Sequence, residues 1–185
     1  MVTTNRLLLG LLLVAALALT AAGCPCNNGR PVLAYDGFDS TCTGSPCGWQ
    51  VEAGQVASVA TLHPGERGLH LASGAVLSLE VAGRDIGSSE EAVEALLRCD
   101  AGTTVRFSLA LTHEGASDTI ISATADAPAA GARLFTRFEG PLLDDAGAEA
   151  SGGTPERVRL ELVGPGTCDV DELFFYRGPT AFCDG

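Results

Sequence analysis

The chain has 185 residues, and 23 Asp and Glu against 11 basic residues, all of them arginine, give a formal net charge of −12. That balance excludes a nucleic-acid partner, because phosphate binding needs clustered basic charge and these arginines are scattered among twice as many carboxylates. The length holds one sizeable domain, and seven cysteines in so short a chain imply an oxidising compartment or a metal.

Arg6 is the only charged side chain ahead of a run from Leu7 to Leu19 that is apolar except at Gly10. A membrane-spanning helix needs about 20 apolar residues, so this run has the length of a secretory signal core. It ends in Ala21-Ala22-Gly23-Cys24. Small residues with a cysteine directly after the cut resemble the bacterial lipoprotein signal, although Ala21 stands where that family usually has leucine. The resemblance implies diacylation of the Cys24 thiol and acylation of its freed amine. Ordinary secretion, with cleavage after Ala22 or Gly23, would instead leave Cys24 as a structural thiol. Parity favours the lipid: acylating Cys24 leaves Cys26, Cys42, Cys47, Cys99, Cys168 and Cys183, an even set suited to disulfides. Several acyl chains also anchor permanently where a single chain holds only reversibly. Pro25 follows Cys24, and likeness to lipoprotein sorting, in which aspartate there retains a protein at the inner membrane, implies the outer membrane. The expected layout is a signal peptide over 1–23, a tether over 24–31 and one domain over 32–185.

Beyond the tether the apolar period is two. Weaker strand candidates come first in the chain, at Trp49 to Glu52, Gln55 to Thr61 and Gly68 to Ala72. Leu77, Leu79 and Val81 then alternate with Ser78, Glu80 and Ala82. Val105, Phe107, Leu109 and Leu111 alternate with Arg106, Ser108, Ala110 and Thr112, and further candidates lie at Thr119 to Thr124 and Ala132 to Glu139. Val158, Leu160 and Leu162 alternate with Arg157, Arg159 and Glu161 before a last candidate at Val170 to Tyr176. This is the pattern of half-buried antiparallel strands. Turn chemistry separates them at Ala53-Gly54, His63-Pro64-Gly65, Ser73-Gly74, Asp100-Ala101-Gly102 and Gly164-Pro165-Gly166. Many short strands at this spacing predict an all-β, antiparallel β-sandwich or barrel.

One segment has two readings. Ser88-Ser89-Glu90-Glu91 forms a capping box ahead of helix formers from Ala92 to Arg98, yet Val93, Ala95, Leu97 and Cys99 alternate. A strand over Ala92 to Cys99, followed by a hairpin at Asp100-Ala101-Gly102, is the preferred expectation. Asp144 to Thr154, rich in Ala, Gly and acid with no apolar face, reads as a surface loop.

Four motifs carry a resemblance. Tyr35-Asp36-Gly37-Phe38-Asp39, Gly48-Trp49-Gln50-Val51, the stretch Leu62 to Leu71 and Val170-Asp171-Glu172-Leu173-Phe174-Phe175 look like the galactose-binding-like jelly roll. That fold occurs in carbohydrate-binding modules and in bacterial envelope lipoproteins, and the likeness spans most of residues 33 to 177. It implies a jelly-roll sandwich and, more weakly, a binding role. It also implies a structural calcium ion between the opening segment and the last strand, at Asp39 and Asp171, because calcium takes several oxygen ligands and two distant carboxylates could share it. The plainer reading makes Asp36, Asp39, Asp171 and Glu172 solvated residues at strand ends.

Sugar modules stack their ligands on exposed rings. Here Trp49 reads as core, Phe107 and Phe175 alternate inward, and Phe135 and Tyr176 are the rings whose strand parity could place them outside. Enzyme chemistry lacks a frame. There is no Gly-x-Ser-x-Gly, His63, His70 and His113 are scattered and read as solvated, and Asp144-Asp145 sits in a loop that would not position an acid and a base. Cys24-Pro25-Cys26 and Cys42 to Cys47 lack zinc spacing. For disulfides, Cys42 and Cys47 flank a Gly and Pro turn and suit a local bridge; Cys26 and Cys183 lie outside the two ends of the domain, which leaves Cys99 and Cys168. The connectivity stays open at this level.

The expected function is a non-catalytic, lipid-anchored envelope protein whose jelly roll binds a glycan or an envelope protein. The alternative is a structural or accessory envelope lipoprotein with no small-molecule site. If the lipoprotein signal is read correctly, Cys24→Ser should lose its fatty-acid label and leave the membrane fraction; unchanged labelling in metabolic acyl-chain incorporation would refute it.

Overall fold

The computed structural model describes residues 32–39, 41–42, 45–46, 48–62, 65–81, 91–113, 119–128, 133–148 and 153–177. The expected signal and the whole of the tether, with Cys24 and Cys26, and also Cys47, Cys183 and the side chain of Cys42 lie outside them. Among the described residues all regular structure is β. In chain order the strands are β1 (Val32–Asp36), β2 (Thr41–Cys42), β3 (Ser45–Pro46), β4 (Gln50–Ala53), β5 (Val56–Ala60), β6 (Arg67–Ala72) and β7 (Val76–Glu80). They continue as β8 (Glu91–Cys99), β9 (Thr104–Thr112), β10 (Thr119–Asp126), β11 (Thr136–Pro141), β12 (Thr154–Val163) and β13 (Thr167–Arg177).

Two antiparallel sheets face each other. One runs β11-β8-β13-β6-β5, with β1 also pairing β13; the other runs β10-β9-β12-β7-β4. Their facing sides supply the core, where Phe107, Leu109 and Leu160 of one sheet meet Leu71, Val93 and Phe175 of the other. The alternating apolar sets of β9 and β12 are these inward residues, so the period read from the sequence is the pleat itself. Architecture and strand direction match the expected jelly-roll sandwich. The expected strand over Ala132 to Glu139 begins only at Thr136 and runs on to Pro141.

The segment with two readings is a strand. Val93, Ala95 and Leu97 point into the core, while Ala92 and Leu96 are also buried, because β8 lies between β11 and β13 inside its sheet. The expected hairpin after it is corrected, since β8 and β9 belong to different sheets. Asp100-Ala101-Gly102 therefore turns the chain across the sandwich, as Ser73-Gly74 does between β6 and β7 and Gly164-Pro165-Gly166 does between β12 and β13. The same turn residues serve a hairpin or a sheet crossing. Gly166 adopts φ +101°, and a Cβ there would stand 2.7 Å from Thr103 Oγ1, so the crossing admits only glycine.

Aromatic placement follows expectation except at one ring. Trp49 is buried against Phe38, and its Nε1 donates to Asp36 Oδ2 at 2.8 Å. Asp36 Oδ1 accepts the Phe38 amide at 2.6 Å, holding Phe38 at φ +58°, so the opening motif is a side-chain-stabilised turn around the Trp49 anchor. Tyr176 is the correction. Its parity does place it opposite Phe175, yet it is buried, stacked on Phe174 with its hydroxyl donating to Glu94 Oε2 at 2.8 Å. Burial, then the Glu94 carboxylate, push its phenol above the ordinary range.

Cys99 and Cys168 stand directly opposite on β8 and β13 and are joined by a disulfide. They are 69 residues apart in sequence. Closing so long a loop restricts the unfolded chain by on the order of 4 kcal/mol in the chain-entropy account.

Candidate functional site

Four strands bring four side chains into one transverse row on the outer face of the six-stranded sheet. Ala57 of β5 stands opposite His70 of β6, His70 opposite Asp169 of β13, and Asp169 opposite Arg98 of β8. Leu69, Leu71, Cys168, Val170 and Leu97, their neighbours in the chain, turn into the core, so alternation sends the row outward. His70 Nδ1 lies 2.6 Å from Asp169 Oδ1. Arg98 donates to Asp169 Oδ2 through Nε at 2.9 Å and Nη2 at 2.7 Å, and Arg133 adds Nη2 at 3.2 Å. Phe135, just ahead of β11, lies beneath the Arg98 guanidinium, 4.5 Å from carbon to ring centroid.

The layering of charge is the chemical point. The Asp169 side chain is only 2% exposed, whereas those of Arg98, His70 and Arg133 are 28%, 35% and 43% exposed. A carboxylate removed from water needs charged partners, and here they form its roof. Solvent therefore meets guanidinium and imidazole edges with the carboxylate beneath. Asp100 closes the rim: Arg133 Nε lies 3.4 Å from its Oδ1, while the Thr167 hydroxyl and amide both donate to Oδ2 at 2.8 Å. Those Thr167 hydrogen bonds, with the positive charge of Arg133 behind them, hold the Asp100 carboxyl below the ordinary carboxylate range.

His70 was expected in solvent; it points outward but is half-buried and paired. Asp169, Arg98 and Arg133 were not singled out by sequence reasoning at all. Phe135 was flagged, and its ring is half-buried under Arg98. His70 also walls an open trough of about 500 Å³ bounded by Val51, Gln55, Val56 and Ala72. None of the described hydrogen bonds places a nucleophile on His70.

Two other concavities differ in character. A cavity of about 310 Å³ opens at the sandwich edge, where Leu97, Ala125, Leu134 and Phe138 give it an apolar lining. On the outer face of the five-stranded sheet, a groove of about 260 Å³ has Ser108, Ala110 and Ile120 as its floor and Arg157 and Arg159 at its side. The arginines there are matched by carboxylates: Arg157 meets Glu80 at 2.6 Å, Arg159 meets Glu52 at 3.2 Å and Arg106 meets Glu161 at 3.4 Å.

Asp39 and Asp171, the residues at which calcium was expected, lie where β13 exchanges partners. Asp171 is 1% exposed; its Oδ1 accepts the Glu172 amide at 2.9 Å, and its Oδ2 has no hydrogen-bond donor. Burial pushes the Asp171 carboxyl above its ordinary range, and the charges of Glu172, Glu66 and Asp39 add to that. Asp39 Oδ1 accepts the Arg67 amide at 2.7 Å. A buried carboxylate oxygen lacking a donor among acidic neighbours suits a hard cation in kind. Among the described residues, however, no three His, Cys, Asp or Glu side chains are grouped to hold a metal, so backbone carbonyls would have to complete the set.

No family model and no curated protein matches the chain. Solved structures do. The chain resembles the CBM22-1 xylan-binding domain of Paenibacillus barcinonensis Xyn10C at TM-score 0.55 and 14% identity, over 81% of this chain and 97% of that one. It resembles the carbohydrate-binding module CBM6cm-2 of Cellvibrio mixtus lichenase 5A, solved with cellotriose, at TM-score 0.51 and 17% identity, over 80% of this chain and all of the other. The C-terminal family 22 module of Clostridium thermocellum Xyn10B gives TM-score 0.52 at 15% identity, over 84% and 98%. These likenesses define the fold as the jelly-roll sandwich of carbohydrate-binding modules.

Because the folded state lowers the Asp100 pKa, its stabilising contribution is present above the ordinary carboxylate range and is lost as pH falls through the lowered value. Asp100→Asn should therefore be less stable than the parent at neutral pH, with the gap closing below about pH 4. Urea unfolding between pH 2 and pH 7 checks this, and a gap that persists unchanged at the acid end would refute it.

Proposed function

We propose that this chain is a non-catalytic, lipid-anchored module of the bacterial cell envelope that binds glycan on the outer face of its six-stranded sheet. One observation carries the reading. A buried carboxylate holds two guanidinium groups and an imidazole in fixed positions at an open surface, beside a trough of about 500 Å³. Side chains locked by their own hydrogen bonds lose little entropy when a ligand arrives. Support comes also from the solved neighbours, one described as xylan-binding and one solved with cellotriose. The anchor and the outer-membrane address rest on the segment from Leu7 to Pro25.

The structural or accessory reading, with a neighbouring envelope protein as partner, draws on the exposed Leu134, 69% accessible, which lines the apolar cavity at the sandwich edge with Leu97, Ala125 and Phe138. A screen of the full chain in detergent on immobilised polysaccharides tests both. Retention that Arg133→Ala weakens by about tenfold or more supports glycan binding at this face. No retained glycan, with a single envelope protein co-purifying, favours the other reading.

The same proposal includes a structural calcium at Asp39 and Asp171, whose charge would compensate the buried Asp171 and tie the opening segment to β13. Thermal unfolding in millimolar calcium should occur above the midpoint found in chelator, and Asp171→Ala should abolish that shift. Equal midpoints for the parent chain would remove the metal.

A further inference from the structure

The described aromatic rings leave little for a neutral sugar to stack on. Trp49, Phe38, Phe107, Phe175 and Tyr176 are buried. Phe138 is half-buried against Phe107, and Phe174 stacks on Tyr176. Phe135 remains, and one face of its ring already carries Arg98. Recognition at this surface therefore falls to hydrogen-bond donors and charge. Arg98 spends Nε and Nη2 on Asp169, and Arg133 spends Nη2 on Asp169 with its Nε in an ion pair with Asp100 at 3.4 Å, which leaves Nη1 of each without a partner among the described residues. Both guanidinium groups share one side of a carboxylate that solvent does not reach. His70 complements them. With Nδ1 held against Asp169, Nε2 is the imidazole nitrogen left to meet a ligand hydroxyl, as acceptor or donor according to the tautomer. A ligand that matches the whole row offers hydroxyl groups to His70 and an anionic oxygen to the arginines.

Resting on the glycan-binding reading and narrowing it, we propose that the saccharide bound here carries a carboxylate, as a uronic acid does. A planar carboxylate can bridge Nη1 of Arg98 and of Arg133 while ring hydroxyls extend along the row toward His70 and the trough. Calorimetric titration of the full chain in detergent with trigalacturonate, and with the trisaccharide made from it by carboxyl reduction, separates the cases. The uronate should bind at least about tenfold more tightly, as charge-assisted hydrogen bonds confer, and Arg98→Gln should erase the difference. Arg98→Gln removes the main partner of buried Asp169 and risks misfolding. Arg133→Gln leaves the Arg98 pair in place and should reduce the preference for uronate by several-fold in a folded chain. Equal affinity for the two trisaccharides would overturn the carboxylate while leaving glycan binding intact, as would retention of neutral polysaccharides alone. A uronate preference unchanged in both variants would place the site elsewhere and overturn the inference. If no glycan of either kind is retained, the glycan-binding reading falls with it.

Discussion

β13 is the strand on which the rest of the sandwich depends, because it changes partners partway along one edge. Its first half pairs with β6 through Val170, and its second half pairs with β1 from Leu173 onward, while β8 lies along the other side throughout. The exchange needs an interruption in the ladder, and Glu172 supplies it with φ +46° where the register with β8 shifts. Gly68 permits the close approach just before the fork, since a Cβ there would stand 2.7 Å from the Val170 carbonyl oxygen. The disulfide clamps β13 to β8 at the near end, and the opening strand clamps it at the far end. Asp169 and Asp171 lie between these clamps, so both unusual carboxylates sit on a strand held near both ends.

The two carboxylates illustrate opposite solutions to burial. Asp169 is covered by cations that themselves reach water, so its desolvation is offset and its partners are held in place. Asp171 has one amide donor and acidic neighbours, and the same burial raises its proton affinity. On the other sheet, Arg157, Arg159 and Arg106 meet Glu80, Glu52 and Glu161 on an exposed face. Exposed pairs of that sort typically add only about 0–1 kcal/mol, and each cation is already matched by a carboxylate that is itself partly open to solvent. Similar residue types thus make a neutral lattice on one face and a cationic roof on the other, and the difference lies in where the carboxylate sits.

How much of this is legible in the sequence depends on how local the cause is. β9 and β12 show one wet and one dry side, and their alternation reads directly as strand. β8 is buried on both sides at several positions, so its pattern blurs and a capping box upstream competes with it. Sheet assignment is less legible still, because Asp100-Ala101-Gly102 carries the same φ > 0 chemistry in a crossing as in a hairpin. For the site, parity sends His70 outward correctly, but Asp169 lies one residue ahead of the strand read at Val170, and its burial is imposed by Arg98 and Arg133, which lie 71 and 36 residues away in the chain. No short motif encodes that convergence. Phe135 was legible only as a ring of outward parity; that it supports a guanidinium depends on its following the turn into β11 beside Arg98.

A sandwich can meet a partner through its strand edges or through its faces, and among the described residues the edges at β10, β11, β4 and β5 are closed in different ways. β10 is covered by a bridge in which Ser122 and Leu143 exchange both backbone hydrogen bonds, at 2.8 and 3.0 Å. β11 carries Arg137 and Glu139 and ends in Pro141, which cannot donate to an added strand. β4 is irregular between Val51 and Ala53, and at β5 the Arg67 guanidinium occupies the Ser58 hydroxyl and carbonyl at 2.7 and 3.0 Å. Strand addition by another chain would have to break these contacts before gaining its own. The faces need no such rearrangement. Of the two, the five-stranded face pairs its arginines with partly exposed carboxylates, whereas on the six-stranded face Asp169 holds Arg98 and Arg133 from underneath and the exposed Asp100 stands beside Arg133. A ligand arriving at the first competes with an anion in front of it, and at the second it meets donors whose orientation has already been set.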